Sequence, residues 1–409
     1  MRILQVNNFF YIKGGTDRVF FNTIELLESH SHSVIPFSTK SSLNSFSEYE
    51  KYFVTIKNYN TKTNTQLKYF NNFYSWDAAN KLEKMIKNFR PEVAHLHNIN
   101  GLITFSILPV LKKFNIPIIS TIHGFKYLCP AYVFINGKGE ICEDCKVGKY
   151  YKCTINNCSI EGLHKSIILS VDSYLRDFIF PYDKLIDKFI FVSEFTMNKF
   201  IEYKPNIRSK SYKLYNFIKE FGLSKKRGKE KYFLFAGRLD REKGLYTLIN
   251  TFKKLPGEKL LIAGDGHLRK EIELNKPTNV EIVGYKSGKE LKELVGNSYF
   301  VILPSECYEN NPMIIIEANS LGVPVIGSDL GGIPEIIKDG ETGFLFEAKS
   351  ENSLEKAVVK SAQMNEKSYS RFSSASYKFA MENFNKEKHY ESLISIYEQA
   401  LRETNYKPF

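Results

Sequence analysis

Hydrophobic positions in this chain recur in short runs separated by polar, glycine-containing loops, and the runs alternate between two periods. Ile3 to Val6 reads as a buried strand. A loop with Gly14 and Gly15 follows, and beyond it Val19, Phe20, Ile24, Leu26 and Leu27 recur at helical spacing. Val93 to His97, Ile116 to Ile122 and Lys188 to Val192 read as further strands, with a helix around Ile107 to Lys113. A polar, basic stretch from Ser224 to Lys231 then interrupts the pattern as a linker or exposed loop. After it a second series begins, with strands expected at Tyr232–Ala236, Lys259–Ala263, Val280–Val283, Phe300–Leu303 and Val323–Ile326. Strand–helix alternation of this kind predicts mostly parallel sheets. The fold class expected is therefore α/β, with two Rossmann-like, doubly wound domains facing a cleft. The boundaries expected are 1–217, 218–385 and a C-terminal helix over 386–409, a candidate to cross back to the first domain.

Composition supports two packed domains: 409 residues exceed one comfortable core, and 43% hydrophobic residues with 25% charged suit a globular chain. Charge changes the picture more. Of the net +12, the segment through Lys213 carries +10, from 28 Lys and Arg against 18 Asp and Glu. An anionic partner of the N-terminal half follows, either a phosphate-bearing substrate or an anionic bilayer. Nucleic acid is not expected, because no recognisable binding motif accompanies the scattered lysines. The opening residues read as a strand rather than a secretory leader, and no apolar run approaches the ~20 residues of a membrane span. A cytoplasmic location is the expectation, with any membrane contact peripheral.

In open sheets of this type ligands sit beyond the carboxyl ends of the strands, so the residues just after each strand are the site candidates. Gly237-Arg238 and Lys243-Gly244 follow the first strand of the second series, a combination of cations and glycines that suits a diphosphate. An ordinary basic turn would read the same way. Gly264-Asp265-Gly266 and Gly284-Tyr285 follow the next two strands, where missing Cβ atoms and free amides allow close approach of another group. The richest segment runs from Pro304 through Glu309, Asn310, Asn311, Pro312 and Met313 to Glu317. A helix starting near Pro312 would bring Glu309 and Glu317 to one end, as acceptors for ribose and sugar hydroxyls. As an isolated pair they would be solvated acids.

Taken in order, Gly237-Arg-Leu with Glu242-Lys-Gly, Ala263-Gly-Asp-Gly, Glu309 eight positions before Glu317, Gly322-Val-Pro-Val-Ile-Gly, Gly331-Gly-Ile-Pro-Glu and Asp339-Gly-Glu-Thr-Gly resemble the family-four glycosyltransferases of the GT-B fold. The resemblance spans nearly the whole chain. It implies a nucleotide-diphosphate-sugar donor, UDP- or GDP-linked, retention of anomeric configuration and no catalytic metal. It also implies roles: Arg238 and Lys243 neutralise the diphosphate, Glu317 binds the ribose and Glu309 contacts the donor sugar. Asn310-Asn311-Pro312 departs from the Gly-Phe-Gly of many relatives and leaves the sugar open.

In the first half, Lys13-Gly14-Gly15 resembles the family's glycine loop, whose amides approach the donor phosphate, and His123 matches a family histidine near the sugar. His95 and His97 read as structural or loosely acceptor-facing. Five of the six cysteines fall between 129 and 158, at Cys129, Cys142, Cys145, Cys153 and Cys158. Their concentration fits a structural zinc or other thiolate-bound metal, or else simple buried thiols, and marks a Cys-containing insertion seen in some bacterial members. Leu163 to Phe180 reads either as an amphipathic helix near the acceptor mouth or as an ordinary core-facing helix.

The function expected is transfer of a sugar to a hydroxyl of a glycan or lipid-linked acceptor in bacterial surface polysaccharide synthesis. Arg238, Lys243, Glu309 and His123 are the catalytic candidates. Gly14, Gly15, Gly237, Gly264, Gly284, Tyr285, Asn310, Asn311, Pro312, Met313 and Glu317 are the donor-binding candidates. The alternatives are a non-catalytic nucleotide-sugar-binding scaffold and a GT-B epimerase or phosphorylase.

Overall fold

The computed structural model describes residues 1–56, 73–220, 222–223 and 231–404. The chain packs as two units, Met1–Leu214 together with the residues from Glu387 on, and Tyr215–Lys386. The basic stretch expected as a linker lies, at 224–230, outside the described residues.

The first unit is built on strands β1 (Arg2–Val6), β2 (Ser33–Phe37), β3 (Val93–Leu96), β4 (Ile118–Ile122), β5 (Lys188–Phe191) and β6 (Ser211–Lys213). They form one parallel sheet in the order β2-β1-β3-β4-β5-β6. Helices cover both faces, so the strands are buried on both sides and read as near-continuous apolar runs. The C-terminal helix Lys386–Glu403 contributes Leu393, Ile396, Tyr397 and Ala400 to a core with Ile3, Val93, Ile119 and Ile190. Near its end Glu403 takes a hydrogen bond of 2.8 Å from the buried Lys188 Nζ.

The second unit repeats the design with β7 (Phe233–Ala236), β8 (Leu260–Ala263), β9 (Val280–Gly284), β10 (Phe300–Leu303), β11 (Val325–Ser328) and β12 (Gly343–Phe346). All are parallel, in the order β12-β11-β10-β7-β8-β9. Strand order therefore reverses between β1 and β3 in one sheet and between β7 and β10 in the other. At such a reversal the flanking connections leave in opposite directions and open a crevice at the carboxyl ends.

Three strands were not legible from the pattern. β2 carries Pro36 and is an edge strand, where a missing N–H is tolerated. β6 has three residues at the opposite edge, and β12 follows the glycine-rich turn at Asp339–Gly343. The strand expected at Val323–Ile326 lies at Val325–Ser328, because Pro324 cannot donate to the ladder. Among the described residues no helix is long and apolar enough to cross a membrane.

Candidate active site

The second unit gathers its charged candidates where β7 and β10 lie side by side. Chain leaving β7 passes Gly237 and Arg238 and turns through Arg241–Lys243 into the helix Leu245–Lys253. Gly244 closes that turn at φ +70°, and a Cβ there would sit 1.8 Å from the Pro304 carbonyl oxygen. Glycine thus lets the turn after β7 touch the loop after β10. The contact brings Lys243 Nζ to 2.5 Å from Glu309 Oε1, and Ser305 Oγ donates to the same oxygen at 2.7 Å. Burial alone pushes the Lys243 ammonium down and the Glu309 carboxyl up. The partner outweighs burial in each case, so Lys243 is held above and Glu309 below its ordinary value. Arg238 adds a third charge to this field. Its side chain is 66% exposed, and it pairs with Asp240 and, at 3.1 Å, with Glu242.

The loop holding Glu309 is fixed from behind by two glycines. Gly332 N–H donates to the Glu309 carbonyl at 2.7 Å, and a Cβ at Gly332 would lie 1.9 Å from the Asn310 carbonyl oxygen. Gly331, at φ +65°, also packs on the Glu309 backbone, where a Cβ would lie 2.7 Å from the Glu309 carbonyl oxygen. Replacing Gly332 with Ala must push this loop away from β11. The expected result is a loss of about 1–3 kcal/mol of stability, read as a lower melting temperature, together with weaker protection by bound nucleotide sugar.

Pro312 precedes the helix Met313–Ser320, and Glu317 lies on its second turn. Asn311 is buried. It accepts from Asn216 N–H at 3.1 Å, while its own Nδ2 has no hydrogen-bond partner among the described residues. An orphaned buried amide of this kind costs free energy unless a further acceptor arrives.

Gly264 differs from its sequence reading. At φ +154° its open side is filled by the chain itself, with the Gly237 carbonyl oxygen 1.9 Å from where a Cβ would be. Gly266 is likewise packed on Leu239. These glycines dock two loops on each other. Gly284 (φ +74°) and the exposed Tyr285 end β9, two strands from β7.

In the first unit the loop after β1 behaves differently. The N–H groups of Lys13 and Gly14 already donate to Asp17 Oδ2, at 3.1 and 3.0 Å, and Asn7 Nδ2 donates to Asp17 Oδ1 at 2.9 Å. The expected use of the Gly14 amide on a phosphate therefore meets a competing acceptor. Yet a Cβ at Gly14, or at Gly124, would meet nothing within 4 Å, and Gly14 has an extended φ of −163°. No internal contact requires glycine at either position.

Three histidines line up at the ends of β3 and β4. His97 Nε2 lies 3.1 Å from Gln5 Oε1, and His97 Nδ1 lies 3.0 Å from His123 Nε2. His95 is bound by Thr121 at 2.7 Å and by Tyr397 at 2.6 Å. Burial dominates all three: His123 is pushed down to about 4, His95 to about 3, and His97 well below the ordinary value. All are neutral near pH 7. An amide oxygen only accepts, so His97 carries its proton on Nε2 and its bare Nδ1 takes the proton of His123 Nε2. His123 is left with an acceptor at Nδ1. A cavity lined by Thr16, His97, His123, Gly124, Lys126 and Tyr132 adjoins this network. Gln5, Asp17 and Ser305 were missed in the sequence. For Gln5 the available signal was a polar residue inside a buried apolar strand.

The cysteines of the 129–158 run come together in the first unit. All six cysteines are free thiols, and Cys145 and Cys153 pack with Tyr150 in a small core that Cys158 flanks. Burial pushes Cys129 up to about 11 and Cys145 up to about 12, which favours the neutral thiol. Among the described residues no group of three or more His, Cys, Asp or Glu side chains is arranged to hold a metal ion. Cys129, Cys142, Cys145, Cys153 and Cys158, the metal set expected from the sequence, are free thiols here.

With this geometry in view, residues 13–219 match the family model described as Glycosyltransferase Family 4, and residues 217–379 match that of Glycosyl transferases group 1. An uncharacterised glycosyltransferase of Methanocaldococcus jannaschii is 28% identical over 267 residues, 60% of this chain and 73% of its own length. Of the next two curated relatives the matched region spans about half, 50% and 48%. Sucrose-phosphate synthase from Thermosynechococcus elongatus superposes with a TM-score of 0.71 at 16% identity, covering 98% of this chain and 99% of that one. Anabaena HepE in complex with UDP-glucose gives 0.65 at 14% identity, over 97% and 100%. These structural likenesses support the GT-B fold.

Proposed function

From the premise that the chain belongs to glycosyltransferase family 4 and so transfers sugar from a nucleotide sugar, we propose that it is a retaining, metal-independent enzyme acting on a hydroxyl of a glycan or lipid-linked acceptor. The observation that carries this reading is the part-buried Lys243–Glu309 pair beside Arg238 at the β7/β10 reversal. Breaking the anomeric bond puts negative charge on the leaving diphosphate. Preorganised cations there stabilise the transition state and do the work a metal would otherwise do. Lys243, held protonated, supplies a fixed charge, and exposed Arg238 can move from Asp240 and Glu242 onto the phosphates. Glu309 keeps Lys243 in place and, being ionised, serves as an acceptor for donor-sugar hydroxyls. Glu317 is assigned to the ribose. Asn311 Nδ2 offers a donor to the same ligand.

Retention follows if the acceptor hydroxyl attacks from the leaving-group face and gives its proton to the departing phosphate oxygen, with no enzymic base. His123, neutral and with an acceptor nitrogen, orients a sugar hydroxyl. Gly14 and Gly124 keep open space that nothing internal needs. The setting proposed is bacterial surface polysaccharide synthesis on the inner face of the cell membrane, with UDP- and GDP-sugars as the donors to try first.

A panel of nucleotide sugars scored by thermal stabilisation and slow donor hydrolysis tests this. One donor should protect the protein by about 2.7 kcal/mol at a hundredfold excess over Kd, and Arg238→Ala and Glu317→Ala should lose the effect. Binding without turnover, even with acceptors present, would favour a scaffold; no binding by any nucleotide sugar would remove the donor assignment.

A further inference from the structure

The helix Leu163–Ile179 is built inside out. Its buried positions are Ser166, Leu169, Ser170, Ser173 and Arg176. The serine hydroxyls are satisfied within the helix: Ser170 Oγ donates to the Ser166 carbonyl and Ser173 Oγ to the Leu169 carbonyl, both at 2.9 Å. Small, self-satisfied serines let the short helix Tyr151–Ile155 pack close, with Thr154 and Ser170 hydroxyls 2.9 Å apart and Tyr150 OH donating to Asp177 at 2.7 Å. Arg176 is buried by donating to the Lys126 and Tyr127 carbonyls.

The outward positions are the apolar ones. Leu163, Ile167, Val171, Tyr174 and Phe178 are exposed at spacings of four, four, three and four, with Ile179 beside them. Phe178 is 87% exposed. His164 is the one polar residue at an exposed position of this helix. Neither the core-facing helix nor an ordinary amphipathic one has this arrangement. Ile160, 99% exposed in the preceding turn, and Ile155 on the helix packed alongside extend the patch. Trp76, the chain's single tryptophan, is 65% exposed and reaches the C-terminal end through Tyr74, which lies 4.5 Å from Trp76 and 6.1 Å from Phe180. A helix that turns this many apolar side chains outward on a folded unit marks an interaction surface.

We propose that this face docks on an anionic lipid bilayer, with the outward side chains of Leu163–Ile179 entering the interface. Charge selects this occupant: the sequence through Lys213 carries +10, which draws this part of the chain to an anionic surface, and the apolar stripe then supplies the short-range attachment. Exposed aromatic residues at the end of the stripe suit the headgroup region, where one side of the ring is apolar and the other wet. The docking does not rest on the identity of donor or acceptor, so it stands or falls separately from the proposed reaction.

The test is co-sedimentation of the full chain with vesicles of phosphatidylglycerol and of phosphatidylcholine. Binding is expected on phosphatidylglycerol, weakening with added salt and accompanied by a blue shift of Trp76 fluorescence, with little on phosphatidylcholine. Phe178→Glu and, independently, Val171→Glu should each weaken binding on the order of tenfold, with melting temperature and donor protection unchanged because both positions are exposed. Failure to bind phosphatidylglycerol, or binding that neither substitution weakens, overturns the proposal. A dimer seen by light scattering that the same substitutions dissolve also overturns it, in favour of a second copy as the occupant.

Discussion

Lys243→Met is expected to lower sugar transfer by about 10²–10³-fold and to make the stability difference from the wild type depend on pH. The charge at Lys243 is worth most when the leaving diphosphate appears, so the loss should fall mainly on kcat. The stability effect comes from the partner. In the wild type Glu309 is held below its usual value of 4.5, so its contribution is present above that value and lost as pH falls through the folded one. Lys243 is held above 10.5, so its contribution is complete below that value and lost as pH rises through the folded one. Between about pH 5 and 10 the pair contributes a constant amount. Without Lys243 the burial of Glu309 is opposed only by the Ser305 hydrogen bond and the Arg238 charge, and its folded pKa is expected to rise above 4.5. The variant then binds a proton on folding, and its melting temperature measured against the wild type's should fall from pH 5 to pH 8; the wild type itself gains stability up to about pH 6.5, because His95, His97 and His123 stay neutral in the fold and take up protons over this range only when unfolded. Glu309→Gln should show no such decline against the wild type over the same range. Melting curves of the three proteins at several pH values, beside initial rates, decide it; a Lys243→Met protein with full kcat would remove Lys243 from the reaction.

The crevice-forming logic of the second unit was legible because its strands are continuous apolar runs and each is followed by a charged or glycine-containing loop. Position in sequence gave Lys243 and Glu309 separately. Their pairing across 66 residues depends on β10 lying beside β7, which strand periodicity cannot state. The glycines show the same gap from the other side. Gly14, Gly244, Gly264 and Gly332 are alike on the page, yet three of them are filled by the chain's own backbone and only Gly14 is not. The helix Leu163–Ile179 was ambiguous because periodicity identifies an apolar face without saying whether it turns inward. Here the serines decide it, by packing closer than leucines can. The cysteine run was read from spacing, which shows that the thiols cluster but not how each one packs.

The histidine chain leads to the other large effect. Gln5 lies near His95 and His97 and sets the proton positions of His97 and, through it, His123. Wild-type activity should therefore show no histidine titration between about pH 6 and 9, since burial keeps all three rings neutral. Gln5→Glu puts a carboxylate against His97 Nε2 at almost unchanged volume. A buried carboxylate next to an imidazole stabilises the imidazolium, so the His97 pKa should rise towards neutrality. Protonated His97 donates from Nδ1 as well, and His123 must then accept at Nε2 and carry its own proton on Nδ1. The acceptor proposed to face a sugar hydroxyl is replaced by a donor. Losing one oriented hydrogen bond worth about 1.4 kcal/mol lowers kcat about tenfold, and the loss should be largest at low pH and recover as pH rises and His97 gives up its proton. Gln5→Leu removes the acceptor without adding charge and so should lower activity with no new pH dependence. A purely structural role for Gln5 predicts the same flat profile for both variants, so the acid limb in Gln5→Glu alone is the result that assigns this residue the task of positioning His123.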